Sequence, residues 1–192
     1  FGTANKANSD NSNAFGTGNL AAGIGTSAFG YLNNVSGNES VAFGFTNTIS
    51  AAEAVAMGRN NQVIATGGSA IGNNNQAMAM YSTAIGNDNY AIGENSSAIG
   101  LGNNITANDA TALGNKNTAS GISAGAVGIS NTASGHNAQA FGYLNEATAQ
   151  DSQAFGAQNK ATERYASAFG HENEAKAYAG SALGVKNVVT GD

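Results

Sequence analysis

Glycine recurs at an unbroken spacing of fourteen residues along this chain, and that period limits the folds that are open to it. Three other columns keep the same register. Asparagine stands three residues after every glycine, a large apolar residue directly precedes each one, and alanine stands two residues before each one from Gly16 on. An exact internal repeat is the signature of a solenoid made of stacked copies of one small unit. The glycines are Gly2, Gly16, Gly30, Gly44, Gly58, Gly72, Gly86, Gly100, Gly114, Gly128, Gly142, Gly156, Gly170 and Gly184.

A unit of fourteen residues is too short for a helical hairpin but accommodates two short strands and two turns. The segments Ser97 to Gly100 and Asn103 to Ala107 both alternate with period two, which is the pattern of a strand. Each strand is expected to pair in parallel with its equivalent in the next coil, about 4.8 Å away, so that some fourteen coils would stack to roughly 65 Å. The fold class predicted is an all-β parallel β-roll that spans 1–192 as a single segment. Because the chain opens and stops part-way through a repeat, it is expected to be a piece of a longer repetitive protein.

The invariant glycine and asparagine are predicted to have structural roles in each coil. The glycine is expected either to adopt a positive φ or to lie where no Cβ fits. The asparagine is expected to close a turn through its side chain, and a ladder of amide hydrogen bonds between coils is the alternative role. The predicted turn residues are Asn5, Asn19, Asn33, Asn47, Asn61, Asn75, Asn89, Asn103, Asn117, Asn131, Asn145, Asn159, Asn173 and Asn187.

The apolar residue before each glycine is predicted to point away from its own coil. Alternation along the strand places Ala140 inside the coil and Phe141 on the opposite face. An exposed apolar stripe of this length is typical of an interface, and a strand that is apolar on both faces is one buried on both faces. We therefore expect side-by-side oligomers, and the stripe by itself does not distinguish a dimer from a trimer. This apolar column consists of Phe1, Phe15, Phe29, Phe43, Met57, Ile71, Ile85, Ile99, Leu113, Val127, Phe141, Phe155, Phe169 and Leu183.

Composition argues against several functional classes. The formal net charge is −5 and charged residues make up 10% of the chain, so a nucleic-acid partner is not expected. The sequence contains no cysteine, which excludes disulfides and cysteine-based metal sites. The two histidines, His136 and His171, fall in different columns of the repeat. No catalytic site, metal site or cofactor is predicted.

Four tyrosines are candidate surface contacts. Tyr31 and Tyr143 directly follow a glycine of the repeat, whereas Tyr81 and Tyr165 stand nine residues after one. Tyrosine on a rigid surface is a favoured contact residue in binding. Packing between neighbouring subunits is the competing interpretation.

The repeats resemble the head domain of trimeric autotransporter adhesins, the YadA-like group, whose head repeats read like S-V-A-I-G followed by an Asn/Ala strand. The counterparts here include Ser40-Val41-Ala42-Phe43-Gly44 and Ser97-Ala98-Ile99-Gly100. The resemblance implies a left-handed parallel β-roll, a homotrimer and a cell-surface position on a stalk anchored in the outer membrane by parts outside this segment. It also implies adhesion to host cells or to extracellular-matrix proteins such as collagen, and aggregation of cells, without enzymatic activity. Phenylalanine often replaces the isoleucine that is typical before the glycine.

Two other functions are compatible with a solenoid. An ice- or crystal-binding β-solenoid is suggested by Thr118-Ala119-Ser120 and Thr132-Ala133-Ser134, although the columns are mixed rather than regular threonine arrays. An acyltransferase-type β-helix would need six-residue rungs, and the period of fourteen argues against it.

Overall fold

The computed structural model describes residues 1–191, which form two compact units, the first ending at Asn95 and the second beginning at Ser96. Within residues 1–191 every regular element is a β-strand, and each coil contributes one longer and one shorter strand. No membrane-spanning helix occurs among these residues. Coils repeat at a spacing of about 14 residues in both units, so the prediction of an all-β parallel β-solenoid is confirmed.

In the first unit, the longer strands pair in sequence order, and so do the shorter ones. The longer strands are Gly2–Thr3 (β1), Asn13–Thr17 (β3), Ser27–Tyr31 (β5), Val41–Phe45 (β7), Val55–Arg59 (β9), Ser69–Asn73 (β11) and Thr83–Asn87 (β13). The shorter strands are Lys6–Ala7 (β2), Leu20–Ala21 (β4), Asn34–Val35 (β6), Thr48–Ile49 (β8), Gln62–Val63 (β10), Gln76–Ala77 (β12) and Tyr90–Ala91 (β14).

The second unit has the same plan. Its longer strands are Ser97–Leu101 (β15), Thr111–Asn115 (β17), Gly125–Ile129 (β19), Gln139–Tyr143 (β21), Gln153–Ala157 (β23), Ser167–His171 (β25) and Ser181–Val185 (β27). Its shorter strands are Asn104–Ile105 (β16), Thr118–Ala119 (β18), Thr132–Ala133 (β20), Glu146–Ala147 (β22), Lys160–Ala161 (β24), Glu174–Ala175 (β26) and Val188–Val189 (β28).

Parallel pairing places equivalent residues of successive coils side by side. Phe15 pairs with Phe29 between β3 and β5 in the first unit, and Phe141 pairs with Phe155 between β21 and β23 in the second. Each column of the sequence is therefore a column in space. The single segment over 1–192 and the left-handed sense of the coil stay predictions.

The second strand is shorter than predicted. It covers Asn104–Ile105 rather than Asn103 to Ala107, and it begins after the periodic asparagine because the N–H of that residue does not take part in the backbone ladder. The backbone N–H of Asn117, for example, donates to the side-chain Oδ1 of Asn103 at 3.0 Å instead of to a carbonyl of the neighbouring strand. The first strand extends one residue further than predicted, to Leu101.

Small side chains fill the interior of each coil. Ala28 of a longer strand and Ala21 of a shorter strand are fully buried, and their equivalents in the other coils are buried too. The largest fully buried aliphatic side chains are Ile49 and Ile105. Because alanine fills the space between the two strands, the coil is thin, and most larger apolar side chains stay outside it.

The periodic asparagine forms hydrogen bonds both within its coil and between coils. Asn33 Nδ2 donates to the carbonyl of Phe29, four residues earlier, at 2.9 Å and to the carbonyl of Gly44 in the next coil at 2.8 Å. Its Oδ1 accepts the backbone N–H and the Nδ2 of Asn47, at 3.0 and 2.9 Å. Since Asn33 is itself buried, this single side chain supplies hydrogen bonds to several groups that are buried or partly buried.

Replacing Asn33 with alanine is expected to lower the free energy of unfolding by about 3 kcal/mol or more. The change removes the hydrogen bonds from the side chain to the partly buried carbonyls of Phe29 and Gly44 and leaves the buried N–H of Asn47 without its acceptor, and each unsatisfied group costs about 1–3 kcal/mol. Guanidinium denaturation followed by circular dichroism measures the loss. The adjacent Asn34→Ala is the matched control, because Asn34 is exposed and its loss should change stability by no more than about 0.5 kcal/mol. Equal effects of the two substitutions would contradict this role of the buried column.

The glycine of each repeat has a positive φ, between 108° and 128°, so that part of the prediction is confirmed. A non-glycine residue with positive φ also occupies most turns, for example Leu32 at 53° and Tyr81 at 55°. These turns do not require glycine, because other residues adopt the left-handed region near a φ of 55° at a modest cost in conformational energy.

Candidate functional site

The apolar column before the glycines lies on the outer face of the longer strands. Along β3, Ala14 is buried and the next residue, Phe15, is 42% exposed. Phe1, Phe15, Phe43, Met57, Leu113 and Leu183 are exposed, and Phe29, Ile71, Ile85, Ile99, Val127, Phe141, Phe155 and Phe169 are half-buried. None of these fourteen side chains contributes to the interior of its own coil, so each unit presents an apolar stripe to its surroundings.

Aromatic rings of this column stack from coil to coil. In the first unit, the ring centroids of Phe15 and Phe29 are 5.1 Å apart with an interplanar angle of 9°. In the second unit, Phe141 stacks on Phe155 at 5.0 Å and Phe155 on Phe169 at 5.1 Å. The centroid distances match the spacing of neighbouring strands, about 4.7–4.9 Å. Stacking covers the ring faces and leaves the outer edges free for another surface.

Tyr31 and Tyr143 lie beside this stripe. Each stands two residues after a phenylalanine of the column, so alternation places it on the same outer face. Tyr31 stacks on Phe45 at 5.0 Å, and the guanidinium of Arg59 lies 5.8 Å from the Phe45 ring. Tyr31 is 43% exposed. These contacts make Tyr31 a neighbour of the apolar stripe rather than a separate surface.

A family model described as the YadA head domain repeat matches the chain at residues 21–46, 77–103 and 147–173. The matched segments contain the periodic glycine and asparagine, the buried alanine and the exposed apolar residue. These matches support a YadA-like head domain. This family suggests a trimeric autotransporter adhesin at a cell surface and is in general non-enzymatic. No curated protein matches the chain significantly.

Tyr81 and Tyr165 of this YadA-like head lie at the other turn of the coil, away from the apolar stripe. Tyr81 is 58% exposed, and its ring covers Gly67, where a Cβ would lie 2.5 Å from the Tyr81 ring. Tyr165 contacts Tyr178 edge to face at 5.6 Å, and the guanidinium of Arg164 lies 4.7 Å from the Tyr165 ring. Tyr178 was not among the predicted contacts. The signal that could have indicated it is its position on the same turn, one coil after Tyr165.

The charged groups of the YadA-like head form exposed pairs rather than a reactive site. The Lys160 ammonium lies 3.4 Å from the Glu146 carboxylate, and that of Lys176 contacts Glu174, where its hydrogen bond holds the pKa of that carboxyl below the usual value. Exposed pairs of this kind contribute little to stability. Within residues 1–191, no three histidine or acidic side chains meet as metal ligands do. His136 and His171 are both exposed.

The threonines that suggested an ice-binding face do not continue as a column. Thr118 and Thr132 pair in register on the shorter strands, but the next positions are Glu146 and Lys160. A flat array of threonine methyl and hydroxyl groups therefore ends after two coils in this part of the head. The ion pair that follows interrupts the regular surface, and the YadA-like interpretation is favoured.

Proposed function

We propose that this chain is the head of a cell-surface adhesin that assembles as a homotrimer of left-handed β-rolls. The observation that carries the proposal is the exposure of the apolar stripe on the outer face of the longer strands. Phe43 is 58% exposed and Leu183 63%. A single chain in water would leave this whole surface solvated, whereas three chains around a common axis would cover it.

The gain from covering the stripe is large. Full burial of one large apolar side chain is worth about 1.5–3 kcal/mol, and the stripe supplies fourteen candidates per chain. Phenylalanine stacks such as Phe141–Phe155–Phe169 present aligned ring edges, which suits edge-to-face packing against rings of the other two chains. The fourteen residues of the apolar column are therefore proposed as the trimer interface. The asparagine column is proposed to close the coil turns.

The proposed activity is attachment of a bacterium to host cells or to extracellular-matrix proteins such as collagen, together with cell-cell aggregation. The support is the family to which the head repeats belong and the repetition of one surface along each unit. Repeated weak contacts on a trimeric head would add up to strong attachment through effective concentration. Tyr81 and Tyr165 are proposed contact residues, because they lie at the turn away from the apolar stripe. Catalysis and a bound cofactor are not part of the proposal.

Attachment of coated particles tests this function. Beads that carry the chain are incubated with immobilised collagen, other purified matrix proteins and cultured cells, beside beads that carry the heat-denatured chain. Retention of the native beads on at least one surface, well above that of the denatured control, is the expected result. Equal retention of both on every surface would contradict the adhesive role. In a parallel experiment, bacteria that display the head should settle faster than bacteria that do not.

A further inference from the structure

A polar groove lies on the first unit, between the outer face of the shorter strands and the adjacent turns. Strands β8, β10, β12 and β14 pair in parallel, with Gln62 beside Thr48, Gln76 beside Gln62 and Tyr90 beside Gln76. These four side chains therefore form one wall, in which equivalent atoms of successive coils are about 4.8 Å apart. Four coils give the wall a length of roughly 14 Å.

The turn that precedes each shorter strand forms the other wall of the groove. Asn60, Asn74 and Asp88 occupy equivalent positions in this turn, with φ between 54° and 57°. Asn60 Nδ2 donates to Asn74 Oδ1 at 2.7 Å, and the Asn87 side chain donates to Asp88 Oδ2 at 2.6 Å. The two walls border an open groove with a volume of about 440 Å³. This volume accommodates a ligand of several rings rather than a single ion.

The wall of shorter strands presents amide and hydroxyl groups to the groove. Thr48, Gln62, Gln76 and Tyr90 all line it. At the floor of the groove, Asn61 Nδ2 donates hydrogen bonds to the carbonyls of Met57 and Gly72 at 3.0 and 2.9 Å. An amide or a hydroxyl offers both a donor and an acceptor. The wall thus presents alternating donors and acceptors at a regular spacing, on a backbone that is fixed by the coils.

The charge and polarity of the lining define the class of ligand. Of the described residues that line the groove, Asp88 is the one that carries a charge, and none is lysine, arginine or histidine. Anionic ligands such as phosphate or sulfated polymers would find no cation here, and a purely apolar ligand would leave the amides unsatisfied. A ligand rich in hydroxyl groups satisfies both requirements. Tyr90, which is 38% exposed, adds an aromatic face against which the C–H side of a sugar ring can pack.

We propose that this groove binds a neutral carbohydrate chain along the direction in which the coils stack. Hydroxyl groups of successive sugars would bond to Gln62 and Gln76, with one sugar ring against Tyr90. The inference rests on the proposed adhesive function and names a class of ligand for it. No residue of the apolar column lines the groove, so covering that column in a trimer does not require the residues of this site.

Binding of defined oligosaccharides to the full chain tests the site. The probes are neutral hexasaccharides of glucose and of N-acetylglucosamine, a heparin hexasaccharide and a triple-helical collagen peptide, with affinity measured by isothermal titration calorimetry. We expect at least one neutral hexasaccharide to bind, and the double variant Gln62→Ala/Gln76→Ala to bind it at least tenfold more weakly. Tyr90→Ala should weaken it by a similar factor. The control Gln158→Ala removes an exposed glutamine from a turn of the second unit and should bind as the unchanged chain does.

Each other outcome overturns the carbohydrate site. Failure of both neutral hexasaccharides to bind, binding of the heparin fragment or the collagen peptide alone, or equal affinity of the double variant and the control would each do so. Circular dichroism of the variants establishes that they fold, which is expected because the replaced side chains point outward. The bead attachment assay separates this inference from the adhesive role. If native beads attach while no hexasaccharide binds, the carbohydrate site is wrong and the adhesive role stands.

Discussion

Replacing Phe141 and Phe155 together with aspartate is expected to convert the proposed trimer into folded single chains. Both rings lie on the outer face of the second unit and stack at 5.0 Å. In a trimer, each substitution would remove an apolar side chain worth about 1.5–3 kcal/mol and would place an unpaired carboxylate against the other two chains. Burying a charge without a partner costs several kcal/mol more. The six changes per trimer fall on adjacent coils, where the aligned rings of the three chains are proposed to meet.

Multi-angle light scattering measures the mass of the assembly, and circular dichroism measures whether the coils persist. The expected result is a mass near the 19.0 kDa of one chain with an unchanged β-strand spectrum, because a carboxylate on the outer face of a single chain is solvated. Thr148→Asp is the control, since it adds the same charge at an exposed position of the shorter-strand face and should leave the mass unchanged. Should the double variant keep the mass of the unchanged protein, the apolar column would not lie at the interface. The single variant Phe155→Asp covers the case in which the double variant fails to fold.

The repeat architecture was predictable because every structural requirement of the coil recurs in the sequence at the same interval. Ala140 is buried and Phe141 faces outward, which follows from period-two alternation along a strand. Parallel pairing with a shift of one repeat follows as well, since it is the pairing that brings identical residues together, as Gly142 beside Gly156. When every coil repeats the same local sequence pattern, few alternative folds compete with the native one.

Features that depend on a single coil or on a surface were harder to predict. The shorter strand begins after the periodic asparagine because the N–H of that residue bonds an asparagine side chain of the neighbouring coil in place of a carbonyl of the strand ladder. The polar groove arises from residues that the repeat does not fix, such as Gln62 and Tyr90. Its signal in the sequence is a run of amide side chains in one column that ends in an aromatic residue. Such columns become visible as surfaces only once the register of the coils is known.

The surface that covers the apolar stripe was also not predictable from the sequence of a single chain. Exposure of Phe43 and Leu183 follows from alternation and small interior residues, and it indicates that something covers them. The number of chains around the axis depends on the angle between neighbouring faces, which is set by the shape of the whole coil. The family likeness supplies the number three, and the Phe141/Phe155 experiment tests the interface independently of that likeness.

Replacing Gly142 with alanine is expected to lower the melting temperature by more than about 10 °C, because this column leaves no room for a Cβ between successive coils. A Cβ at Gly142 would lie 2.0 Å from the carbonyl oxygen of Gly156 in the next coil and 3.0 Å from the carbonyl carbon. The obstacle is backbone, so no side-chain rotation relieves it. The φ of Gly142, 123°, adds about 1–3 kcal/mol of strain for any residue with a Cβ. Separating the coils enough to fit a methyl group would break ladder hydrogen bonds as well.

Thermal melts of the variants Gly142→Ala and Gly102→Asn distinguish two effects. One is the clash of a new Cβ with the next coil, and the other is the replacement of a glycine that has a positive φ. Gly102 also has a positive φ, 65°, but the nearest atom to its Cβ would be Lys116 Cγ at 3.5 Å, and asparagine tolerates this left-handed region. Gly102→Asn should therefore change the melting temperature by no more than about 2–4 °C, which corresponds to about 1 kcal/mol in a chain of this size. A loss above about 4 kcal/mol is expected for Gly142→Ala, which places it among the most damaging single substitutions. If the two variants lost similar amounts of melting temperature, the backbone conformation alone would explain why each repeat needs a glycine. A large difference would identify the packing of one coil's glycine on the next coil's carbonyl as the contact that requires an unbroken interval of fourteen.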